Sequence, residues 1–221
     1  DDQSYDLLLY GMITGILGAR LFYVIQFWHL FKDNPIEIIK IHHGGLVFYG
    51  GFMLSIIAIY VFCRRNKLSF VSVLDICAPS IAITHFFGRI GCFLNGCCFG
   101  KKTDLPWAVS YPEGFDPYFF YGSSVKIHPT QLYEAIGNII IFVLLFNLMG
   151  RLKKGQIASL YLVLYGALRI FVEIFRGDHK NFVSNSLTPA QFIGIMIVPI
   201  GITLFIFFGR SQKKSDKKTS N

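Results

Sequence analysis

The chain has 221 residues, of which only 15% are charged and 53% hydrophobic, with a formal net charge of +8 and a mean hydropathy of +0.50. A soluble domain carries about 25% charged residues, which excludes an ordinary cytosolic enzyme; 23 Phe and 11 Tyr exclude a disordered chain that avoids burial. The composition is that of an integral membrane protein, and the expected fold class is all-α: a polytopic membrane helix bundle.

A bilayer crossing needs roughly 20 mostly apolar residues. Six segments qualify, at about 6–27, 45–63, 70–93, 131–150, 157–175 and 190–209. The second and sixth are free of Asp, Glu, Lys and Arg; Arg20, Asp75, Arg89, Arg169 and Glu173 interrupt the first, third and fifth. Residues 1–209 read as one transmembrane bundle domain and 210–221 as a basic tail with the composition of a disordered segment. The chain opens on Asp1 without a secretory signal, so its N-terminus reads as trimmed.

Basic residues set the orientation. Arg64, Arg65 and Lys67 follow the second span, Arg151, Lys153 and Lys154 the fourth, and Arg210, Lys213, Lys214, Lys217 and Lys218 the sixth. These alternate as six crossings require, which predicts a cytoplasmic C-terminus. The tail reads as a topology signal rather than a nucleic-acid site. The longer connections, 28–44, 94–130 and 176–189, then lie on the outer face. Asn34 is a candidate N-cap ahead of Pro35 and Glu37, which predicts a short interfacial helix. Trp107 and the aromatic residues between Tyr111 and Tyr121 suit a structured loop at the headgroups.

Ionisable side chains within spans are functional candidates by default. Arg89 lies near the outer end of the third span, sharing a helical face with His85. Arg169, Glu173 and Arg176 share a face of the fifth. A single arginine could snorkel or pair structurally. Four, counting Arg20, at one depth predict a pocket for an anion such as a phospholipid phosphate. Gly44, Gly45, Gly50, Gly51, Gly88, Gly91, Gly96 and Gly100 cluster at the same level, where backbone N–H groups could approach a phosphate or ester. Gly11, Gly15 and Gly18 read instead as close helix packing. His128 to Glu134 enters the fourth span from the same side, with Thr130 as its expected N-cap.

The motifs HHGGLVFYGG, GRIGCFLNGCCFG, HPTQLYEA and YGALRIFVEIFRGD, in this order, resemble the prolipoprotein diacylglyceryl transferases of bacteria. The resemblance runs from about Gly15 to Asp178. It implies a seven-helix enzyme of the bacterial plasma membrane, with its active site toward the outer leaflet. Such an enzyme moves the diacylglyceryl group of phosphatidylglycerol onto the lipobox cysteine of a preprolipoprotein, forming a thioether and releasing glycerol 1-phosphate. The family's essential arginines match Arg89 and Arg169, its partner tyrosine Tyr165, its histidine His128 and its closing glycine Gly100. The expected catalytic set is therefore Arg89, Arg169 and His128. The expected substrate-binding set is Arg20, Gly45, Tyr49, Asn95, Gly100, Tyr133, Glu134, Tyr165, Glu173 and Arg176.

The chain departs from the family's pattern at three positions, Tyr49, Cys92 and Cys97. Well-studied members carry His at Tyr49, Asn at Cys92 and Glu at Cys97, so the usual base candidates are replaced. His128 is the first alternative, then His42, His43 or His85. The family's first helix is expected to be missing, leaving six spans. Cys63 and Cys77 read as packing residues. Cys92, Cys97 and Cys98 read as polarisable lining or a structural disulfide, since C-x4-C-C matches no standard zinc pattern. No metal, cofactor or nucleic acid is expected, and the working unit is expected to be a monomer. Two other classes stay open: a related transferase with a different lipid donor or acceptor, and a non-catalytic phospholipid-binding protein. A thiol-redox membrane protein is the remote third.

Overall fold

The computed structural model describes residues 2–32, 34–41, 44–178 and 187–219; His42 and His43 lie outside them, as do the side chains of 2, 4, 48 and 211–219. Among the described residues seven α-helices follow one another: α1 Asp2–Gln26, α2 Phe48–Arg65, α3 Phe70–Asn95, α4 Asp116–Tyr121, α5 Thr130–Leu148, α6 Gln156–Glu173 and α7 Pro189–Thr219. All but α4 coincide with the six apolar segments. Five are long and apolar enough to cross a membrane: α1, α3, α5, α6 and α7. The sixth, α2, is an 18-residue helix that ends on Arg64 and Arg65. Leu8, Leu9, Ile13, Phe87, Ile136 and Ile200 lie exposed along these helices. In an all-helical chain of this hydropathy such a surface faces lipid. The protein is a multi-pass membrane protein. The backbone of α7 continues through the basic tail to Thr219.

The expected single bundle divides into two compact units, Asp1–Phe70 and Val71–Asn221. In the first, α1 and α2 pack through small residues. A Cβ on Gly18 would lie 2.5 Å from the Gly50 carbonyl oxygen, and one on Gly51 would lie 2.6 Å from that of Gly15. Lipid offers no hydrophobic drive between helices, so close backbone approach supplies the contact. Gly50 and Gly51, expected at a ligand, are packing residues like Gly15 and Gly18. The anticipated interfacial helix is one 3-10 turn, Pro35–Ile38, and Asn34 makes no side-chain cap to it.

In the second unit, Ala78 and Ala82 of α3, Ile141 and Leu145 of α5 and Ile157 and Tyr161 of α6 form the core. Asp75 explains itself here. Its carboxylate accepts the backbone N–H of Gly155 at 2.5 Å and of Ala158 at 2.8 Å, capping the start of α6, where orphan N–H groups and the helix dipole favour an anion.

At the other end of α3 the chain after Asn95 is tied on both sides. Lys102 and Val109 pair with Ile127, and Gly100 pairs with Arg176. Phe99, Tyr111 and Ile127 form a second small core. The 94–130 segment is thus structured, as its aromatic content predicts. These pairings bring the end of α3, the start of α5 and the end of α6 together.

Candidate active site

Glu134, in the first turns of α5, is 2% exposed. One carboxylate oxygen lies 2.8 Å from Arg169 Nη1 and the other 3.0 Å from Arg89 Nε. Arg169 also reaches Glu173, 3.1 Å away through Nη2; Arg176 Nε lies 3.9 Å from the same oxygen and pairs with Asp178 at 2.7 Å. Three guanidinium and three carboxylate groups therefore alternate along a ladder: Arg89, Glu134, Arg169, Glu173, Arg176, Asp178. The four-residue spacing along α6 puts Arg169 and Glu173 on one face, while Arg176 lies three residues beyond the end of the helix. Glu134 reaches them from α5, a partner no local spacing could reveal. Burial of such charges is tolerable only when each is paired.

The ladder revises the expected cluster of anion-binding arginines. Arg169 is engaged through both Nη groups. Burial works against the charge of Arg176, but Asp178 more than offsets it and raises its pKa. Arg20 belongs to the first unit and is 7% exposed. Its Nε donates to the Ile38 carbonyl at 2.8 Å and its Nη1 to those of Gly44 and Gly45 at 2.8 and 3.0 Å. Its Nη2 donates to the Glu37 carbonyl, and the guanidinium lies over Tyr23 and Phe31. Arg20 thus closes the loop ahead of α2 rather than presenting its donors to a ligand. Gly45 has φ +74, and a Cβ there would meet Tyr23 and Arg20, so it too serves this closure.

Arg89 differs from the other three. Its contact with Glu134 is through Nε, at 3.0 Å, whereas Arg169 meets its two carboxylates through its Nη groups. The neighbouring Gly88 and Gly91 face open space: a Cβ on either would find nothing within 4 Å. His85, one turn earlier, stacks on Tyr165 with ring centroids 4.8 Å apart, and its Nδ1 lies 3.2 Å from the Tyr161 hydroxyl.

His128 occupies a separate polar chain. Its Nδ1 lies 3.2 Å from the Tyr133 hydroxyl, which accepts the Trp107 indole N–H at 2.8 Å. Its backbone carbonyl accepts the N–H of Gly100 at 3.2 Å. Burial, and then the charge of Lys101, lower its pKa. Gly100 has no room for a side chain, because a Cβ would fall 2.4 Å from the His128 carbonyl oxygen. This close approach by itself requires glycine at the position. Thr130 does not cap α5: the N-cap is Pro129, and the Thr130 hydroxyl donates to the Cys98 carbonyl at 2.8 Å. Tyr49 stands at the first turn of α2, 62% exposed, and Asn95 is exposed at the end of α3.

No disulfide ties Cys92, Cys97 and Cys98. Burial, and then the neighbouring Cys92, push the Cys97 thiol up. Tyr111, pushed up to about 12 by burial and then by Cys97, stays a neutral phenol and donates to the Phe93 carbonyl at 2.7 Å.

A polytopic helical membrane protein with a buried ion-pair ladder is the class that fold and site define. Residues 1–207 match the prolipoprotein diacylglyceryl transferase family. A phosphatidylglycerol–prolipoprotein diacylglyceryl transferase of Finegoldia magna is 40% identical over 220 residues, covering 99% of this chain and 84% of that protein. The protein of that name from Clostridium tetani is 39% identical over 207 residues, 93% of this chain and 80% of its own length. One from Idiomarina loihiensis is 36% identical over 211 residues, 93% and 76% of the two chains. The chain belongs to the prolipoprotein diacylglyceryl transferase family.

Proposed function

We propose that this chain transfers the diacylglyceryl group of phosphatidylglycerol to the lipobox cysteine thiol of a preprolipoprotein. Its relatives carry this donor and acceptor class in their names. The single observation that carries the reading at residue level is Arg89: a part-buried guanidinium that meets Glu134 through Nε at 3.0 Å, in a stretch of α3 whose neighbouring Gly88 and Gly91 add no side-chain bulk.

Arg89 binds the phosphate through its two Nη groups, a geometry matched to two phosphate oxygens. The thiolate sulfur attacks the glyceryl carbon that bears the phosphate ester. The C–S bond forms as the C–O bond breaks, and glycerol 1-phosphate leaves with the electron pair. Charge grows on the departing phosphate, where a fixed guanidinium stabilises it most. Arg169 holds Glu134, and through it the orientation of Arg89. The thiol proton passes to His128, which is neutral at pH 7, or to His85 beside Tyr165. A thiol with a free pKa near 8.5 needs less help than a hydroxyl would, especially beside a cation.

The alternating basic loops support a plasma-membrane topology with the C-terminus in the cytoplasm and the Arg89 end toward the outer leaflet. The test uses the purified chain in liposomes with phosphatidylglycerol and a lipobox peptide, with mass spectrometry for the thioether and for released glycerol phosphate. Product that disappears in Arg89→Ala is expected. Phosphatidylglycerol that binds without ever yielding a thioether would overturn the reading. His128→Gln and His85→Gln separate the two bases.

A further inference from the structure

A cluster of three thiols lies beside the ladder, at the turn that follows α3. Cys92 is in the last turn of the helix; Cys97 and Cys98 come after Gly96, whose φ is +74. Cys98 itself has φ +61, a left-handed conformation that a residue with a side chain adopts only when its surroundings impose it. The surroundings are explicit. The Cys97 carbonyl accepts the Gln131 side-chain N–H at 2.7 Å, and the Cys98 carbonyl accepts the Thr130 hydroxyl at 2.8 Å. Gln131 and Thr130 are each 1% exposed. Pinned in this way, the backbone brings all three sulfur atoms within 4.8 Å of one another.

We propose that Cys92, Cys97 and Cys98 form a binding site for a thiophilic d10 cation, zinc or copper(I), held by three thiolates. Thiolate is the donor that selects these ions over magnesium or calcium. Zinc–sulfur bonds of about 2.3 Å place sulfur atoms about 3.8 to 4.0 Å apart. The thiols need to draw together by about 1 Å at most, a movement that side-chain rotation supplies without disturbing the pinned backbone. On binding, the three S–H bonds give up their protons to solvent and three S–metal bonds form, with no change of oxidation state. The product is anionic, with one net negative charge for zinc and two for copper(I). Arg89 lies within electrostatic reach of Cys92 and Cys98, and Arg176 within reach of Cys98. All three cysteines are partly exposed, which gives an ion access and leaves a coordination position open, as in zinc sites with three protein ligands. The site is argued from these thiols alone and does not depend on which lipid or peptide the protein uses.

The test is a cadmium titration of the reduced, full-length chain in detergent, followed by the ultraviolet thiolate-to-cadmium charge-transfer band. The band is expected to saturate at one ion per chain and to be abolished in Cys97→Ser. It is expected to persist in a Cys63→Ser, Cys77→Ser double variant, which removes the thiols outside the cluster. Cys92→Ser and Cys98→Ser are run alongside, each matched to the parent by elution volume and thermal midpoint. Displacement of cadmium by zinc or by copper(I) then assigns the ion. The absence of a band, a band that survives in well-folded Cys97→Ser and Cys98→Ser chains, or one that falls with the loss of Cys63 and Cys77 would each overturn the proposal.

Discussion

Glu134 Oε1 lies 3.0 Å from Arg89 Nε, so the carboxylate meets the guanidinium at its inner nitrogen. Because the other oxygen holds Arg169, one buried acid serves two cations. Glu134→Gln leaves both cations without their shared countercharge. Breaking a buried pair from one side costs about 3–5 kcal/mol, and thermal unfolding in detergent is expected to show a loss of that order. An unchanged midpoint would mean that the ladder does not stabilise the fold.

Arg89→Lys tests the use of the terminal donors. A lysine keeps the charge but offers a single ammonium, which cannot face Glu134 and also present a fork to phosphate. Losing a hydrogen bond to a charged group costs about 1.5–3 kcal/mol, equivalent to about 10–150-fold in rate. Thioether formation in Arg89→Lys is expected to fall by that factor. Arg169→Lys, whose two contacts are both to protein carboxylates, is expected to lower the thermal midpoint as well as the rate.

The helices were legible in the sequence because the bilayer demands long apolar runs, and the structured 94–130 loop because its aromatic residues have no other use. Arg89 and Arg169 stood out as charges in an apolar context. What the sequence could not show is pairing across elements. Glu134 lies 35 residues from Arg169 and Asp75 lies 80 from Gly155, and no periodicity reports such contacts. For the same reason Arg20, Gly45 and Gly100 read as ligand residues: a glycine that meets a carbonyl and one that meets a phosphate look alike until the neighbour is seen. The three clustered thiols were visible as a spacing, but their convergence depends on the positive φ of Gly96 and Cys98, which the sequence does not report.

Asp75→Asn is expected to act on stability alone. It weakens two charge-assisted bonds at the start of α6, and the loss of a helix cap costs about 0.5–2 kcal/mol. Thermal unfolding should register that loss, while thioether formed per folded molecule stays at the parent value. A fall in activity beyond the loss of folded protein would place Asp75 in the chemistry instead.

Gly100→Ala puts a methyl group 2.4 Å from the His128 carbonyl oxygen, 2.5 Å from the His128 Cβ and 3.0 Å from the Phe175 carbonyl oxygen. Two of these are backbone atoms on both flanking segments, so the tie between α3, α5 and α6 must open. Both activity and thermal midpoint are expected to drop. A variant that keeps its midpoint but loses phosphatidylglycerol binding would instead restore Gly100 to direct ligand contact.

His128 supplies a pH dependence with a definite sign. Burial and then Lys101 lower its pKa beneath the ordinary 6.5, so the neutral, proton-accepting form is present at pH 7 and is lost only as pH falls through that lowered value. If His128 takes the thiol proton, kcat/KM measured across pH has an acid limb below about 6.5. Removing the Lys101 charge in Lys101→Gln relieves one of the two causes, raises the pKa, and moves the acid limb to higher pH. The burial contribution remains, so the displacement is partial. Lys101 also donates to the Ile174 carbonyl, which the glutamine side chain can replace in kind though not in length; a thermal midpoint measured beside the pH profile separates a structural loss from the electrostatic one. An acid limb that stays fixed in Lys101→Gln but disappears in His85→Gln would move the base to the histidine stacked on Tyr165.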